Sequence, residues 1–524
     1  MTEKKNALIS VYDKEGIAEF AQELVDMGWK IFSSGGTAKV LLEAGIPVTD
    51  VAELTGLSPI LDHRVATLAP QLHGGLLATE KHLEELERLG FPWIDLVCAG
   101  FYPLEEETRR LDATEESVIE KTDIGGPTLC RSGAKGRRIV IIDPADRMRV
   151  IEWLKNDEPD GVEFRNDLAA KAEFIIAGYC LTSARFHSDG NYEGMIGTKI
   201  TPCKYGENAW QTPADLFETD PSDPLAIARF RVLEGQPPGC NNYADIDRLL
   251  QAMTHIAEAF AINQDSPYIA VGVKHGNPCG AAVGYDPKKV IGDMMAGDPL
   301  AIFGGLVMTN FTINETLCGP LVGRMLDGII APDFTPGAIE TLRRKEDKCR
   351  FVANSALENL VGHLDVTPRL RFVRGGFLMQ PNYTFVLDLN SDQVAKYSQA
   401  TLEQEADMQL AWAIGSTSNS NTITLVKDGQ LIGNGVGQQD RIGAADLAIE
   451  RALRSGHDVT GAVAYSDSFF PFNDAVEYLI DAGVVAILTS SGSRNDPKVI
   501  ELCQERGIVL YMIPDAVGRG FFGH

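Results

Sequence analysis

The sequence lacks any arrangement of cysteines that would hold zinc or build a disulfide framework. Nine cysteines are scattered singly over 524 residues, none of them in a Cys-x-x-Cys pair, and no histidine stands at a zinc-ligand spacing from them. An odd number of cysteines without a pattern is typical of reduced thiols in the cytosol. We therefore predict a cytoplasmic protein without a metal centre.

Long apolar runs and an excess of positive charge are also missing. No apolar run is long enough to cross a bilayer, and too few apolar residues follow the N-terminus for a signal peptide. The formal net charge of −26 excludes the basic field that nucleic acids and anionic membranes require. Small anionic ligands remain allowed, because they need only local cations and backbone N–H groups.

The length and the apolar pattern predict an α/β protein of two domains. A chain of 524 residues is too long for one core, and the first 150 residues alternate strands and helices as parallel sheets do. A break at Gly190–Gly194 places the domain boundary between residues 1–193 and 194–524. The second domain also alternates, and the strands that lead to Lys274 and Lys427 look alike, as in a duplicated unit.

Lys274 and His275 follow an apolar run, Tyr268–Val273, that is typical of a buried strand. Gly276, Asn277 and Pro278 come next and predict a turn. An ammonium beside an imidazole disfavours protonation of the imidazole, which leaves it able to accept a proton. The pair is a candidate general acid and base; the alternative is an exposed lysine beside a histidine that caps the core.

The first domain carries three segments suited to an anionic ligand. Ser33–Thr37, between a strand and a helix, offers hydroxyls and helix N–H groups for a phosphate. Arg64 and Thr67 stand in one loop, and Asp123 precedes a helix that carries Arg131 and Lys135. Ordinary strand-to-helix turns and a solvated basic helix face are the alternatives.

In their order, these segments resemble the bifunctional purine-biosynthesis family that combines AICAR transformylase with IMP cyclohydrolase. The resemblance runs from Ser10 to His524 and rests on Ser34-Gly35-Gly36-Thr37-Ala38, Asp123–Thr128, Tyr205–Asn208, Lys274–Gly280, Gly435–Arg441, Phe469–Phe472 and Phe522-Gly523-His524. It implies a methylglyoxal-synthase-like domain followed by two cytidine-deaminase-like α/β subdomains without zinc. It also implies 10-formyltetrahydrofolate as co-substrate and a homodimer with transformylase sites at the subunit interface, and it leaves open a bound monovalent cation.

For the transformylase site the resemblance implies that His275 deprotonates the AICAR amine and that Lys274 protonates the leaving folate nitrogen. Asn421 matches a carbonyl-orienting residue, and Asp327 matches a carboxylate near the substrate. The matching substrate-binding positions are Lys204, Tyr205, Asn241, Phe303, Gly304, Arg441, Phe470, Pro471 and His524. Lys204 replaces the family's arginine, which keeps the charge but loses bidentate geometry.

For the cyclohydrolase site the resemblance implies Tyr102, Asp123 and Lys135 as catalytic residues. The matching binding positions are Ser10, Lys14, Ser34, Gly35, Thr37, Arg64 and Thr67. Five positions depart from the family's pattern: Ala66 for Lys, Ala69 for His, Gly100 for Asn, Tyr12 for Ser and Gly136 for Asn. We therefore expect intact formyl transfer with impaired cyclisation. The alternatives are a transformylase alone, acting on AICAR or a related amine, and a non-catalytic nucleotide-binding scaffold.

Overall fold

The computed structural model describes residues 5–61 and 64–523. They form two compact units, which divide between Ile196 and Gly197. Within the described residues, no helix is both long enough and apolar enough to span a membrane. Nor do those residues contain a group of three or more histidines, cysteines and carboxylates placed to hold a metal ion.

The first unit is built on a five-stranded parallel sheet in the order β3-β2-β1-β4-β5. Its strands are β1 Asn6–Ser10, β2 Lys30–Ser33, β3 Val48–Asp50, β4 Leu96–Ala99 and β5 Ile139–Ile141. Its helices are α1 Ile17–Asp26, α2 Gly35–Glu43, α3 Val51–Thr55, α4 Pro70–Leu77, α5 Leu83–Leu89, α6 Leu104–Arg109, α7 Glu115–Glu120, α8 Gly125–Lys135, α9 Asp146–Lys155 and α10 Gly161–Ser188. Apolar side chains on both sheet faces are buried, which explains the uninterrupted apolar strands.

Two helices, α9 and α10, follow β5, and a short irregular segment separates them. Pro159 lies between them and cannot continue a helix, because its ring blocks the hydrogen bond to the preceding turn. Asp157, Glu158 and Asp160 take positive φ angles of 60°, 55° and 50°, which reverse the chain direction.

The second unit contains a mixed twelve-stranded sheet in the order β16-β21-β20-β19-β17-β18-β10-β9-β11-β12-β13-β8. The strands of this unit are β6 Thr198–Cys203, β7 Ala214–Glu218, β8 Arg231–Glu234, β9 Tyr268–Lys274, β10 Asn277–Gly284, β11 Leu306–Thr309, β12 Gly328–Ala331, β13 Arg350–Ala353, β14 Arg369–Val373, β15 Gly376–Gln380, β16 Ala395–Lys396, β17 Ile423–Lys427, β18 Gln430–Gly435, β19 Val463–Ser466, β20 Ala486–Ser491 and β21 Val509–Pro514. Its helices are α11 Cys240–Ile262, α12 Pro287–Ala296, α13 Pro336–Leu342, α14 Leu402–Ser416, α15 Arg441–Arg454, α16 Asp474–Asp481, α17 Asp496–Arg506 and α18 Asp515–Gly518.

This large sheet consists of two similar halves, as the sequence predicts. Each half has a helix, a β-hairpin and a second helix, namely α11, β9–β10 and α12, then α14, β17–β18 and α15. Each hairpin continues into three parallel strands, β11–β13 and β19–β21. The halves join where β10 and β18 pair antiparallel.

The two hairpins turn in the same way, and the first turn is tighter than the sequence predicts. Lys274 pairs with Asn277, so Asn277 and Pro278 belong to β10 and only His275 and Gly276 form the turn. Their φ angles are 53° and 71°, the left-handed values that a two-residue hairpin requires. Pro278 is tolerated in the strand because the register shifts directly after it.

The second hairpin turns at Asp428 and Gly429, with φ angles of 54° and 75°. Both turns are bound by an aspartate at the sixth residue of the preceding helix. Asp245 of α11 accepts a hydrogen bond from Gly276 N at 2.7 Å. Asp407 of α14 accepts one from Gly429 N at 2.7 Å and one from Asp428 N at 3.0 Å.

The buried Asp407 gives the second hairpin a pH-dependent stability. Burial raises the pKa of Asp407 to about 6, against the opposing hydrogen bonds from Gly429 and Asp428. The folded protein therefore binds more protons than the unfolded chain between about pH 4 and that value, so the free energy of unfolding falls as the pH rises, by ~3 kcal/mol. We expect the melting temperature of the wild type, relative to Asp407→Asn, to fall across this window; a difference that is independent of pH contradicts the assignment.

Candidate active sites

A cleft of about 630 Å³ opens at the carboxyl ends of the strands in the first unit. Parallel α/β sheets bind ligands at this edge, where β1, β2 and β4 end. Nine of the ten residues predicted for the cyclohydrolase site line the cleft: Ser10, Lys14, Ser34, Gly35, Thr37, Arg64, Thr67, Tyr102 and Asp123.

One wall of the cleft is suited to a phosphate. Ser34 precedes α2 without a capping hydrogen bond from its side chain, which leaves the first N–H groups of the helix for a ligand. The Thr37 hydroxyl accepts from Val11 N at 3.2 Å and donates to Val11 O at 3.1 Å. Lys14 donates to Tyr12 O at 2.7 Å, and burial lowers the pKa of Lys14 despite Asp13 beside it.

The lining of the cleft also contains a carboxylate, Asp123, just before α8. Asp123 accepts a hydrogen bond from Gly126 N at 3.0 Å, and Tyr179 accepts one from Asp123 N at 2.6 Å. Burial raises the pKa of Asp123, opposed by the N–H groups of Gly126 and Gly125. A Cβ placed on Gly125 would lie 2.7 Å from Thr67 Oγ1 and 3.8 Å from Asp123 Oδ1, so the two predicted side chains lie close together.

Of the five positions at which the resemblance implies a departure, three line this cleft: Tyr12, Ala66 and Gly100. Ala69 precedes α4 and Gly136 follows α8, and neither is among the described residues that line the cleft. Packing explains why position 136 is a glycine, because a Cβ there would collide with the backbone carbonyl of Leu76. The five positions therefore do not all lie in the cleft.

Lys135, predicted as catalytic, lies away from the lining. It ends α8, whose 11 residues place it about 15 Å along the axis from Gly125. It is not among the described residues that line the cleft.

The mouth of the cleft contains a cation that the sequence does not reveal. Tyr12 and Tyr102 pack edge to face, with ring centroids 5.2 Å apart. Lys121 Nζ lies 5.0 Å and 5.8 Å from their centroids and donates to the Tyr12 hydroxyl at 3.3 Å. Arg64 forms an ion pair with Glu120, and both side chains are exposed enough to separate for a ligand.

In the second unit, Lys274 lies among three other predicted residues. Its ammonium donates to the backbone carbonyl of Phe303 and lies 5.6 Å from the ring centroid of Phe303. A Cβ placed on Gly304 would lie 3.5 Å from Lys274 Nζ and 3.9 Å from Asp327 Oδ1. The ammonium, the carboxylate and the exposed Phe303 ring therefore surround one small space. His275, the next residue after Lys274, is exposed at the hairpin tip.

One face of α11 connects the remaining parts of this site. Asn241 donates to Glu207 O at 3.2 Å, in the loop that carries Lys204 and Tyr205, where Lys204 Nζ lies 5.9 Å from the Tyr205 ring. Asp245 binds the turn of His275 and Gly276, as described above. Arg248 donates to Thr417 O and to Asn419 Oδ1 at 3.4 Å, just before Asn421. Residues at i, i+4 and i+7 share a helix face, so α11 spaces these segments.

The other predicted residues of the second unit lie in its second half. Asn421 Nδ2 donates to Gln438 O at 2.9 Å. Arg441, predicted to bind substrate, is buried in an ion pair with Asp467. Its guanidinium therefore contacts a buried carboxylate of the chain itself. Loss of either partner would leave a buried charge without compensation.

The aromatic run after β19 has a buried and an exposed part. Phe470 is buried in the core, whereas Pro471 and Phe472 are exposed. The C-terminal segment is held close to Asn421, because Phe522 N donates to Ser418 O at 2.9 Å and Ser420 N donates to Gly523 O at 3.1 Å. His524 lies outside the described residues.

Both units match the sequence profiles of known families. A profile described as "AICARFT/IMPCHase bienzyme" matches residues 135–451, and one described as "MGS-like domain" matches residues 16–128. The first profile covers more than half of the chain.

Full-length relatives carry the same description. "Bifunctional purine biosynthesis protein PurH" from Anoxybacillus flavithermus is 37% identical over 518 residues, 97% of this chain and 98% of the relative. The protein of that name from Deinococcus deserti is 37% identical over 519 residues, with the same coverage. A solved structure titled "Crystal structure of ForH" is 33% identical and covers 36% of this chain and 100% of its own, with a TM-score of 0.33, too low to compare the folds.

Proposed function

This chain belongs to the AICARFT/IMPCHase bienzyme family of purine biosynthesis, and we propose that its second unit transfers the formyl group of 10-formyltetrahydrofolate to the amine of AICAR. The observation that carries this proposal is the His275–Gly276 turn, which presents an exposed imidazole at its tip, one residue after Lys274. Asp327, Phe303 and Gly304 adjoin that ammonium.

Formyl transfer to an aromatic amine requires help with both proton movements. The amine is a weak nucleophile because its lone pair is delocalised into the ring and its carboxamide neighbour. His275 takes the proton from the amine as the nitrogen attacks the formyl carbon. Lys274 gives a proton to the departing folate nitrogen as the carbon–nitrogen bond to the donor breaks, so the proton balance closes. Asn421 orients the formyl carbonyl, and Lys204 with Tyr205 binds the phosphate.

Ring closure of the formylated product is assigned to the cleft of the first unit, with a reduced rate. The α2 N-terminus, Lys14 and Arg64 supply a phosphate site, and Asp123 lines the same cleft. Ala66 leaves one wall without the charge donor that the family has there. Removal of one group that stabilises the developing charge in the transition state typically lowers kcat by about a hundred- to a thousand-fold. Ring closure is intramolecular, so a weakened site still accelerates it.

The active form is proposed to be a homodimer with the transformylase sites at the subunit interface. Support comes from the β14–β15 hairpin, whose Phe372, Leu378 and Met379 side chains are 72%, 59% and 48% exposed. An apolar patch of this kind is costly on a monomer. Light scattering across a dilution series measures the dimer fraction. We expect the specific activity, assayed at the same concentrations, to fall with that fraction. A fully active monomer would contradict the dimer proposal.

The test of formyl transfer is release of tetrahydrofolate that depends on AICAR. We expect turnover with both substrates present and none when AICAR is omitted. Nucleotide binding without turnover would favour the non-catalytic scaffold, for which the acid/base pair would have no purpose. Turnover with another aromatic amine but not with AICAR would support a related acceptor instead.

A further inference from the structure

The catalytic hairpin and its counterpart in the other half differ mainly at their tips. Both turns follow a lysine, both use left-handed angles, and both give the glycine N–H to an aspartate at 2.7 Å. The first tip carries the exposed imidazole of His275, whereas the second carries Asp428. The aspartate that binds the turn is therefore common to both halves, and only the first half places an imidazole at the tip.

A turn of this type determines where its tip residue points. His275 has a Cβ, which makes its φ of 53° sterically unfavourable. The residue therefore keeps this angle only while contacts with the surrounding structure stabilise it. The hydrogen bond from Gly276 N to Asp245 connects the turn to α11. Asp245 is half-buried, and burial raises its pKa against the opposing hydrogen bond from Gly276 N–H.

We propose that Asp245 is a positioning residue for formyl transfer: by binding Gly276 N from α11, its carboxylate sets the direction of the His275 imidazole relative to the Lys274 ammonium. This inference rests on the proposed function. Asp245 acts through the turn rather than on substrate, because its described hydrogen bond is to the backbone behind the tip. The matching Asp407 performs the same structural task where no chemistry occurs.

The kinetic test compares Asp245→Ala with the matched Asp407→Ala. We expect Asp245→Ala to lower kcat by roughly 10- to 100-fold with KM for AICAR unchanged, since misplacing a reacting group by about 1 Å has effects of this size. Asp407→Ala is expected to lower the melting temperature while kcat is retained. Asp245→Asn should recover most of kcat, because its amide oxygen still accepts the Gly276 N–H. Wild-type kcat in Asp245→Ala, or equal losses in both alanine variants, would overturn the proposal.

A second measurement does not depend on turnover. Histidine labelled with ¹³C at Cε1 gives an NMR signal for His275, assigned by its loss in His275→Gln. We expect that signal to shift or broaden in Asp245→Ala, and in Asp245→Ser should the alanine variant fold poorly, but to stay unchanged in Asp407→Ala. An unchanged His275 signal in a folded Asp245 variant would overturn the positioning role. A wild type without AICAR-dependent turnover would instead refute the proposed function, while the NMR result still decides the role of Asp245.

Discussion

Replacement of His275 by alanine is expected to lower the rate of formyl transfer by roughly 100- to 10,000-fold, the usual contribution of one general acid or base. The imidazole is the only group that the His275–Gly276 turn presents at its tip, and it is exposed. Its removal leaves the AICAR amine without a proton acceptor but leaves the hairpin intact. Single-turnover kinetics with saturating AICAR and 10-formyltetrahydrofolate measure this loss directly.

The internal duplication provides the control for that experiment. Asp428 occupies the corresponding tip with a φ of 54°, next to Gly429. Asp428→Ala places an alanine in the same left-handed conformation as His275→Ala does, but removes no proposed catalytic group, so formyl transfer should continue at the wild-type rate. Equal losses in both variants would mean that the hairpins are needed for folding alone. Full activity of a folded His275→Ala dimer would exclude the imidazole as the base.

The second large effect concerns ring closure. Ala66→Lys is expected to raise the rate of cyclisation of formyl-AICAR by about a hundred- to a thousand-fold, the value of one restored charge donor. Ala66 lines the cleft together with Thr67 and Asp123, so a lysine there reaches the same space as the ligand. The assay follows the appearance of IMP from purified formyl-AICAR.

Ala69→His serves as the comparison, because it restores the other family residue at a position that is not among the described cleft-lining residues. We expect it to change the rate of ring closure little. Lys121 supplies a cation over the Tyr12 and Tyr102 rings, at the mouth of the same cleft. An Ala66→Lys variant no faster than the wild type would mean that the charge is already supplied, and Lys121 would be the residue to replace next.

The strands and the cleft were accessible to sequence analysis because they follow from local patterns. Apolar runs such as Tyr268–Val273 are buried strands, and the loops after β1, β2 and β4 meet at one sheet edge by topology alone. The position of the first turn was less accessible. His275 in a left-handed conformation is uncommon, so Asn277 and Pro278 looked like turn residues although they begin β10.

Residues whose roles depend on distant partners could not be predicted. Polar residues spaced as in Asn241, Asp245 and Arg248 also occur on ordinary solvated helix faces, and only their partners in the folded chain distinguish them. Arg441 looked like a ligand contact because its partner Asp467 lies 26 residues away in the sequence. The resemblance implies a catalytic role for Lys135, whereas the length of α8 places it away from the residues that line the cleft.

Separation of the products formed from AICAR and 10-formyltetrahydrofolate tests the central claim most directly. The wild-type enzyme is expected to produce formyl-AICAR rapidly and to accumulate it ahead of IMP. Absence of any formylated nucleotide, from protein that is folded and dimeric, would contradict formyl transfer by the Lys274 and His275 pair.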